Sequence, residues 1–448
     1  MSFSVIGDAS KAHRRIKVKP EDWGFQACRI TDGEIWVNKV GTYGITSAGY
    51  FWSRLAAALI RLGYYLVGKR WSPELLIFAD DFLMLASRAA EIIDLGVLIF
   101  IFICLDVPFK WAKFRGGFDV GWIGYQINFG CFRLGLSEAR AAWLSGWLKK
   151  TVEQAKVDVQ DLRGVLGRLC FTMGPLEFLR PFIAPLFAWA SVVPKSGLQS
   201  LPWSVSFLMT YIAGEIEGDG RTVEVLPRGL DIGTVFRADA KAQGQFVSIG
   251  GWESRDGRSP RSARWYAIVL DRRNAPWAFS RGEPFRNIAA LEMFATLVSI
   301  MAFADQWPAA GRGALRLSGI TDNAGNTSVL SRLTTSKFPL VVILAEVAAQ
   351  MKKRHMEMDL LWAPRNQNEE ADALTNGEFA MFDSKLRIDI DIANLDFEVL
   401  PRLMAQAESL YEDIKKRRAV KKRGEEVQGR EARRGGRARG LRHREPWQ

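Results

Sequence analysis

Residues 75–86, LLIFADDFLMLA, place two adjacent carboxylates, Asp80 and Asp81, between two apolar runs. This pattern predicts two short strands that meet at a tight turn carrying the acidic pair. Neighbouring carboxylates repel each other, and burying them is costly unless a positive charge lies close by. A bound cation would relieve the repulsion, and so would exposure to water at a hairpin tip. The rest of the chain has to distinguish these alternatives.

Length and composition narrow the class of protein. The chain has 448 residues, enough for two or three domains, and 48% of them are hydrophobic and 25% charged, as in ordinary globular proteins. The scattered cysteines and distant histidines disfavour a disulfide framework, a zinc ribbon and a histidine-rich metal site. The longest apolar run, 95–105, is too short to span a bilayer and predicts a buried helix or strand, so no membrane partner is expected.

Periodicity and composition divide the chain into six segments, which together predict the α+β fold class. The predicted segments are apolar runs at 1–130, helices at 131–213, a linker at 214–232, an α/β domain at 233–383, a helical extension at 384–414 and a disordered basic tail at 415–448.

Two features of the first segment favour a cation at the acidic pair. The stretch SVIGDASKA predicts a strand that ends at Asp8, which supplies a third carboxylate. Residues 40–55, VGTYGITSAGYFWSRL, predict a Gly-rich turn leading into an apolar helix, where the backbone can approach a ligand closely.

In their order and spacing, these motifs resemble the palm of a reverse transcriptase, in particular those of long-terminal-repeat and tyrosine-recombinase retroelements. The resemblance implies a right-hand polymerase palm followed by a helical thumb or connection. The matching motifs are Asp8 with Ala12, Tyr43-Gly44 with Ser47-Ala48, Phe78-Ala79-Asp80-Asp81, Lys113, and Trp122-Ile123-Gly124.

The resemblance assigns chemistry to the carboxylates. Nucleotidyl transfer uses two Mg²⁺ ions, which prefer carboxylate and phosphate oxygens, with Mn²⁺ as a substitute. Asp8, Asp80 and Asp81 would be the metal ligands, and Lys113 would steady or protonate the pyrophosphate. The implied substrates are deoxynucleoside triphosphates and a primed RNA or DNA template.

Residues around the incoming nucleotide depart in part from the family. The resemblance places His13, Tyr43 and Gly44 at the nucleotide or template. His13 stands where the family usually has an aromatic residue that screens out the 2′-hydroxyl, and Gly49 stands where proline is common. We therefore expect altered nucleotide selection.

Polymerases of this family carry basic fingers ahead of the first motif, and these fingers clamp the triphosphate. Asp8 lies seven residues after Met1. We therefore expect an N-terminally truncated copy whose fingers would have to come from a separate chain.

A second set of acids occurs in the α/β segment: Asp239, Glu292, Asp322 and Asp372. Asp239 and Asp322 are predicted at or just past strand ends, and Glu292 and Asp372 in helices. Strand ends and flanking helices can converge on one crevice of an α/β sheet. Singly, three of these acids have another explanation: Glu292 as an exposed helix carboxylate, Asp322 as a helix N-cap, and Asp372 as a first-turn acid favoured by the helix dipole.

In order, this set resembles the Asp-Glu-Asp-Asp set of ribonuclease H, which holds two Mg²⁺ ions; the order disfavours a transposase-type set. The stretch WAPRNQNEEADALTN matches a His-x-Pro-Gly-x-x-Asn-x-x-Ala-Asp pattern with Asn368 and Asp372 kept. Trp362 replaces the histidine, which implies slower product release, and Arg365 replaces the glycine. The implied substrate is the RNA strand of an RNA–DNA hybrid.

The tail carries most of the net charge of +12, because 415–448 contains 14 Lys and Arg against four acids. It could neutralise phosphates, act as a nuclear localisation signal, or be a solvated tail without a partner. Nuclear and cytoplasmic locations are both compatible with it. The predicted function is a retroelement reverse transcriptase with ribonuclease H, and the alternative is an inactive or domesticated relic that binds nucleic acid through the tail.

Overall fold

The computed structural model describes residues 2–42, 45–68, 74–225, 231–280, 282–304 and 315–434. Three sequence predictions fall wholly or partly outside the described residues: the Tyr43-Gly44 motif, 226–230 of the linker and 435–448 of the tail. Helices, antiparallel sheets and one mixed sheet make up the described part, which confirms the α+β class. The chain divides into two compact units, Met1–Ala141 with Arg221–Val225, and Ala142–Gly220 with Leu226–Gln448.

The first unit contains three small sheets and two long helices. Its elements up to residue 141 are β1 (Phe3–Asp8), β2 (Ala27–Thr31), β3 (Glu34–Val37), α1 (Thr46–Val67), β4 (Glu74–Phe78), β5 (Asp81–Ala86), α2 (Ala89–Cys104), β6 (Arg115–Gly117), β7 (Asp119–Trp122), β8 (Tyr125–Asn128), β9 (Arg133–Leu136) and the start of α3 (Glu138–Gln154).

The main sheet of this unit is antiparallel, in the order β4-β5-β1-β6. The hairpin predicted from residues 75–86 is present, with Phe78 paired to Asp81 around a two-residue loop. Ala79, the first loop residue, has φ 52°, the positive value that such tight hairpin turns require. Trp52 of α1 donates its indole N–H to the Ala79 carbonyl at 2.7 Å and so anchors the turn.

Apolar side chains of β5 and both helices form the core beneath this sheet. Trp52, Phe82 and Phe102 are buried there, because α2 packs on β5 and α1 packs on α2. The run 95–105 lies largely in α2, and only one face of that helix is buried; Phe100 on the other face is 63% exposed. The predicted burial of this run therefore holds for one side of the helix.

The second unit combines a helical part with a five-stranded sheet. Its elements are the rest of α3, β10 (Lys156–Asp158), α4 (Val159–Thr172), α5 (Arg180–Ala190), β11 (Leu198–Ser200), α6 (Trp203–Glu215), and, after β12 (Thr222–Glu224) of the first unit, β13 (Asp231–Gln243), β14 (Phe246–Glu253), β15 (Trp265–Leu270), α7 (Pro276–Phe279), α8 (Ile288–Phe303), β16 (Leu315–Thr321), α9 (Ala324–Arg332), α10 (Leu340–Lys353), β17 (Met356–Trp362), α11 (Glu369–Asn376) and α12 (Leu400–Arg434).

The five-stranded sheet has the order β15-β14-β13-β16-β17, antiparallel from β15 to β13 and parallel from β13 to β17. Helices cover both faces of it. A Cβ built at Gly250 would meet Leu374 of α11, and one at Gly251 would meet Ser299 of α8. Successive residues of a strand point to opposite faces, so α8 and α11 pack on opposite sides.

Three predictions differ from the structure. Asp239 lies inside β13, which continues to Gln243 because it pairs with β14 as far as Phe246. Within the predicted linker, 222–224 form β12, which pairs with β9 of the first unit. Residues 415–434, predicted to be disordered, continue α12 as helix, in keeping with the good helix propensity of Lys, Arg, Glu and Ala.

A buried carboxylate fixes the start of α12. Glu346 of α10 is fully buried and accepts the backbone N–H groups of Glu398, Val399 and Leu400 at 2.7–2.9 Å. Gln350 donates to the same carboxylate at 2.6 Å. These bonds satisfy backbone donors that a helix start otherwise leaves unpaired.

One helical segment of the described residues, Pro284–Phe303, is long and apolar enough by composition to cross a membrane. About 72% of its most apolar window is buried inside the second unit, where it packs on β13 and β14. A core helix of a soluble domain passes the same test, so this segment is weak evidence for a membrane partner.

Candidate active sites

The first carboxylate set gathers at one end of the β4-β5-β1-β6 sheet. Asp8 and Asp81 are directly opposite each other at the ends of β1 and β5. The N–H of Ala9 donates to the carbonyl of Asp80 at 2.8 Å, which keeps the hairpin loop beside the end of β1. The structure thus places the three predicted acids in one region.

Two lysines accompany Asp8. The Nζ of Lys113 donates to Asp8 Oδ2, and the Nζ of Lys110 lies 3.9 Å from Oδ1. Lys110 also donates its backbone N–H to the Asp8 carbonyl at 2.8 Å, which fastens this basic segment to β1. The hydrogen bond to Asp8 raises the pKa of Lys113, so this lysine stays charged.

A cavity of about 320 Å³ opens beside these groups. Its lining includes Asp8, Asp81, Lys113 and Trp122. Burial raises the pKa of Asp81, and the negative charges of Asp80 and Asp8 raise it further. Asp8 Oδ1 is buried and accepts no hydrogen bond among the described residues, so its lone pairs remain available to a cation.

The other residues predicted for this site are placed as follows. Trp122 ends β7 and leads into the two-residue loop Ile123-Gly124, whose φ values of 44° and 94° suit a tight hairpin. The ring of His13 lies 3.5 Å from where a Cβ on Gly49 would be, at the first turn of α1. A larger residue at either position would crowd the other.

The second carboxylate set contains two buried acids. Asp239 lies on β13 and Glu292 on α8, and they are 6% and 8% exposed. Asp322 directly follows β16, the strand beside β13. The buried state of Glu292 excludes the alternative that it is an exposed helix carboxylate. The N-cap alternative for Asp322 is also wrong, because Asn323 caps α9 by accepting from the N–H groups of Gly325 and Asn326.

Burial and neighbouring negative charges raise the pKa of two acids in this set. Burial, followed by the charge of Asp322, raises the pKa of Asp239 to about 6. Burial, followed by the charges of Asp322 and Asp239, raises the pKa of Glu292 to about 8. Thr375 donates to Asp239 and Thr321 to Glu292, each at 3.1 Å, and these bonds only partly offset the shifts.

The residues that were matched to the ribonuclease H pattern, in and between β17 and α11, lie around this set. Trp362, in place of the expected histidine, donates its indole N–H to the Asp322 carbonyl at 3.0 Å. Asn368 is buried, donates to the carbonyl of Ala238 at 3.3 Å, and leaves its Oδ1 without a hydrogen bond among the described residues. Asp372 lies in the first turn of α11 and is held by Arg365.

The carboxylates suit a divalent metal by their chemistry, but they are not arranged around a single ion. Carboxylate oxygens suit Mg²⁺: in the second set the charge of Asp322 raises the pKa of Asp239 and Glu292, and in the first set Asp8 Oδ1 accepts no hydrogen bond among the described residues. Within the described ranges, however, no three His, Cys, Asp or Glu side chains are placed to ligate one ion. The acids of each set therefore lie in one region, but they do not form a preorganised coordination shell.

Sequence reasoning missed a basic cavity of about 280 Å³ in the second unit. It lies between the start of α10, the start of α8 and helix α12, and its lining contains no carboxylate. Tyr411 is buried on its floor, stacked on Phe338, and its hydroxyl has no hydrogen-bond partner among the described residues. The cations of the lining are Arg286, Lys337, Lys415 and Arg418. They are far apart in sequence, so no motif marks them.

Comparison with known proteins gave structural similarity only. No protein-family model and no curated protein matches the chain. A foamy viral protease-reverse transcriptase solved with an RNA/DNA hybrid aligns over 80% of this chain and 44% of its own, at 11% identity and a TM-score of 0.41. The same viral protein, designated dRH and solved with double-stranded DNA, aligns over 81% of this chain and 57% of its own, at 11% identity and a TM-score of 0.41.

An apo telomerase from Candida tropicalis, truncated from the C-terminal domain, aligns over 28% of this chain and 34% of its own, at 12% identity and a TM-score of 0.23. The chain thus spans less than two thirds of the length of each of these solved structures.

Proposed function

We propose that the second unit is a ribonuclease H that cleaves the RNA strand of an RNA–DNA hybrid with Mg²⁺ or Mn²⁺. The observation that carries this proposal is the burial of Asp239 and Glu292 near Asp322, whose negative charge adds to burial in raising the pKa of both. A divalent cation held by these carboxylates would supply charge neutralisation at the scissile phosphate and an activated water.

The protein groups would have distinct roles. Asp239, Glu292 and Asp322 would hold the metal, with Asp372 as the fourth ligand once it leaves Arg365. Thr321 and Thr375 orient two of these carboxylates through their hydroxyl donors. Trp362 would fix the backbone of Asp322.

The nucleic-acid partner is supported by the basic cavity. Its four cations share a lining without carboxylates and could meet phosphates, although Glu408 and Glu412 line the adjoining cavity beside Arg286 and Lys415. A strand whose phosphates occupy such a site binds without sequence preference and with strong salt dependence. The basic residues that follow Lys415 would extend this contact.

The first unit would be the palm of an RNA-directed DNA polymerase of a long-terminal-repeat or tyrosine-recombinase retroelement. Asp8, Asp80 and Asp81 would hold two Mg²⁺ ions, and Lys113 would meet the triphosphate. Its substrates would be deoxynucleoside triphosphates on a primed template. Primer extension by the purified chain, beside Asp80→Asn, tests this part.

The test of the nuclease is cleavage of a labelled RNA–DNA hybrid by the purified full chain in Mg²⁺. We expect Asp239→Asn to lose at least about 100-fold in rate, since a catalytic metal contributes several kcal/mol of charge stabilisation. Asp80→Asn is the matched control, because it removes a carboxylate of the other set. Equal cleavage by Asp239→Asn and the unmodified chain would refute the nuclease.

A second candidate function is metal-independent nucleic-acid binding by an inactive relic. It is favoured by the cations already bound to two of the predicted ligands, Lys113 on Asp8 and Arg365 on Asp372. It predicts hybrid binding that survives both Asp239→Asn and removal of Mg²⁺, with no cleavage. The cleavage assay and a binding assay in chelator therefore separate the two candidates.

A further inference from the structure

Arg365 forms an ion pair with Asp372, the fourth carboxylate of the second set. It begins the 3₁₀ turn Arg365–Gln367 between β17 and α11. Its Nε lies 3.0 Å from Asp372 Oδ1, and its Nη2 donates to the same oxygen. Asn376 donates to Asp372 Oδ2 at 2.8 Å, so both carboxylate oxygens are engaged.

The guanidinium also lies in the field of the other acids. Asp372 raises the pKa of Arg365 most, and Asp239 and Asp322 add to the effect. Among the described residues, the only ion pair of the four carboxylates is the one between Arg365 and Asp372. Arg365 is therefore the nearest internal counter-charge of this set, and it stands where the family pattern has a glycine.

We propose that Arg365 is a built-in counter-cation that competes with the divalent metal for Asp372 and lowers the metal affinity of the second carboxylate set. This inference rests on the metal site of the proposed function and concerns its regulation. Metal binding at Asp372 then requires the guanidinium to leave. Its side chain is 72% exposed, so it can rotate into solvent without repacking the core.

Charge-assisted, two-point contacts are the strong ones in proteins, and removing this one should favour the metal. We expect Arg365→Gln to bind Mn²⁺ up to about fivefold more tightly than the unmodified chain, since solvent screens this exposed pair and limits what the metal gains when the guanidinium is removed. Arg365→Lys keeps the positive charge but loses the two-point contact of the guanidinium. Its Mn²⁺ affinity should therefore lie between those of the unmodified chain and Arg365→Gln.

Arg316→Gln is the matched control. Arg316 contacts Asp359 in the same manner, with Nε at 3.2 Å and Nη2 at 2.6 Å from Asp359 Oδ2, outside the carboxylate set. Its Mn²⁺ affinity should stay within about twofold of that of the unmodified chain, because Asp359 is not one of the proposed metal ligands.

The experiment is isothermal titration of the metal-free full chain with Mn²⁺, with each variant measured alone and combined with Asp239→Asn. The difference in Mn²⁺ binding between each variant and the same variant combined with Asp239→Asn assigns the bound metal to this set. Circular dichroism confirms that each variant is folded. Unchanged or weaker binding by Arg365→Gln overturns the inference while leaving the metal site intact. If no variant binds Mn²⁺ in an Asp239-dependent manner, the proposed metal site itself fails, and the inference with it.

Discussion

The two carboxylate sets differ in how their buried acids are neutralised. In the first unit, Asp8 is 3% exposed and has Lys110 and Lys113 beside it, while Asp80 and Asp81 lie half-buried at a hairpin loop. In the second unit, Asp239 and Glu292 are also buried, and among the described residues the basic partner of this set contacts only Asp372. The first set is therefore relieved by water and lysines, and the second retains its repulsion.

This difference shows where a metal would matter most for stability. Desolvation disfavours a charged carboxylate, and a second negative charge nearby adds to the cost. Both effects act on Glu292, whose pKa rises to about 8, whereas the half-exposed Asp81 shows a smaller rise. The four predictions below test this contrast, from the largest expected effect to the smallest.

The largest effect is expected for Glu292→Gln in metal-free buffer. A carboxyl group whose pKa rises on folding, here from 4.5 to about 8, contributes stability fully below pH 4.5 and loses it as the pH rises through 8. The unmodified chain should therefore lose on the order of a few kcal/mol between pH 5 and pH 9 relative to the variant. Thermal melts across this range measure it, with Asp81→Asn as the control; parallel curves for Glu292→Gln and the unmodified chain would contradict the expectation.

Saturating Mg²⁺ should remove much of that pH dependence. A cation held by Asp239 and Glu292 favours their charged forms, so the unmodified chain should gain about 2–3 kcal/mol at pH 8 when the metal is near 100 times its dissociation constant. Melting temperatures with Mg²⁺ and with chelator give this gain, and Asp239→Asn should lack it. An equal gain in Asp239→Asn would place the metal elsewhere.

The basic cavity should contribute about one unit of salt dependence per cation. We expect Lys337→Gln combined with Lys415→Gln to reduce the slope of log affinity against log salt for a hybrid by about two, and to weaken binding about tenfold near physiological salt. The pair Lys156→Gln and Lys385→Gln carries the same charge change on exposed lysines outside the cavity lining. Fluorescence anisotropy in chelator measures both; equal slopes for the two pairs would remove the cavity from the binding surface.

The smallest effect is expected for Lys113→Gln. The side chain of Lys113 is 54% exposed, so its ion pair with Asp8 is screened by water and should be worth less than about 1 kcal/mol. Urea denaturation of the variant beside the unmodified chain gives the value. A loss of several kcal/mol would mean that the first set is as strongly coupled as the second.

Sequence patterns were sufficient for the local elements at both sites. Apolar runs on either side of Asp80 and Asp81 predicted the hairpin, because a two-residue loop between alternating strands leaves few other arrangements. Helical spacing likewise predicted the helix that carries Glu292. These features depend on residues close together in the chain.

These patterns could not predict the surroundings of the individual side chains. A sequence could not distinguish a buried Glu292 from an exposed one, nor show that Asn323 rather than Asp322 caps α9. It also could not place Arg365 on Asp372 or bring Lys337 and Lys415 to one cavity. The sequence by itself determined which elements form and which acids are candidates, because local spacing sets periodicity. Only the tertiary structure decided burial, counter-charges and cavities, because these depend on distant segments packing together.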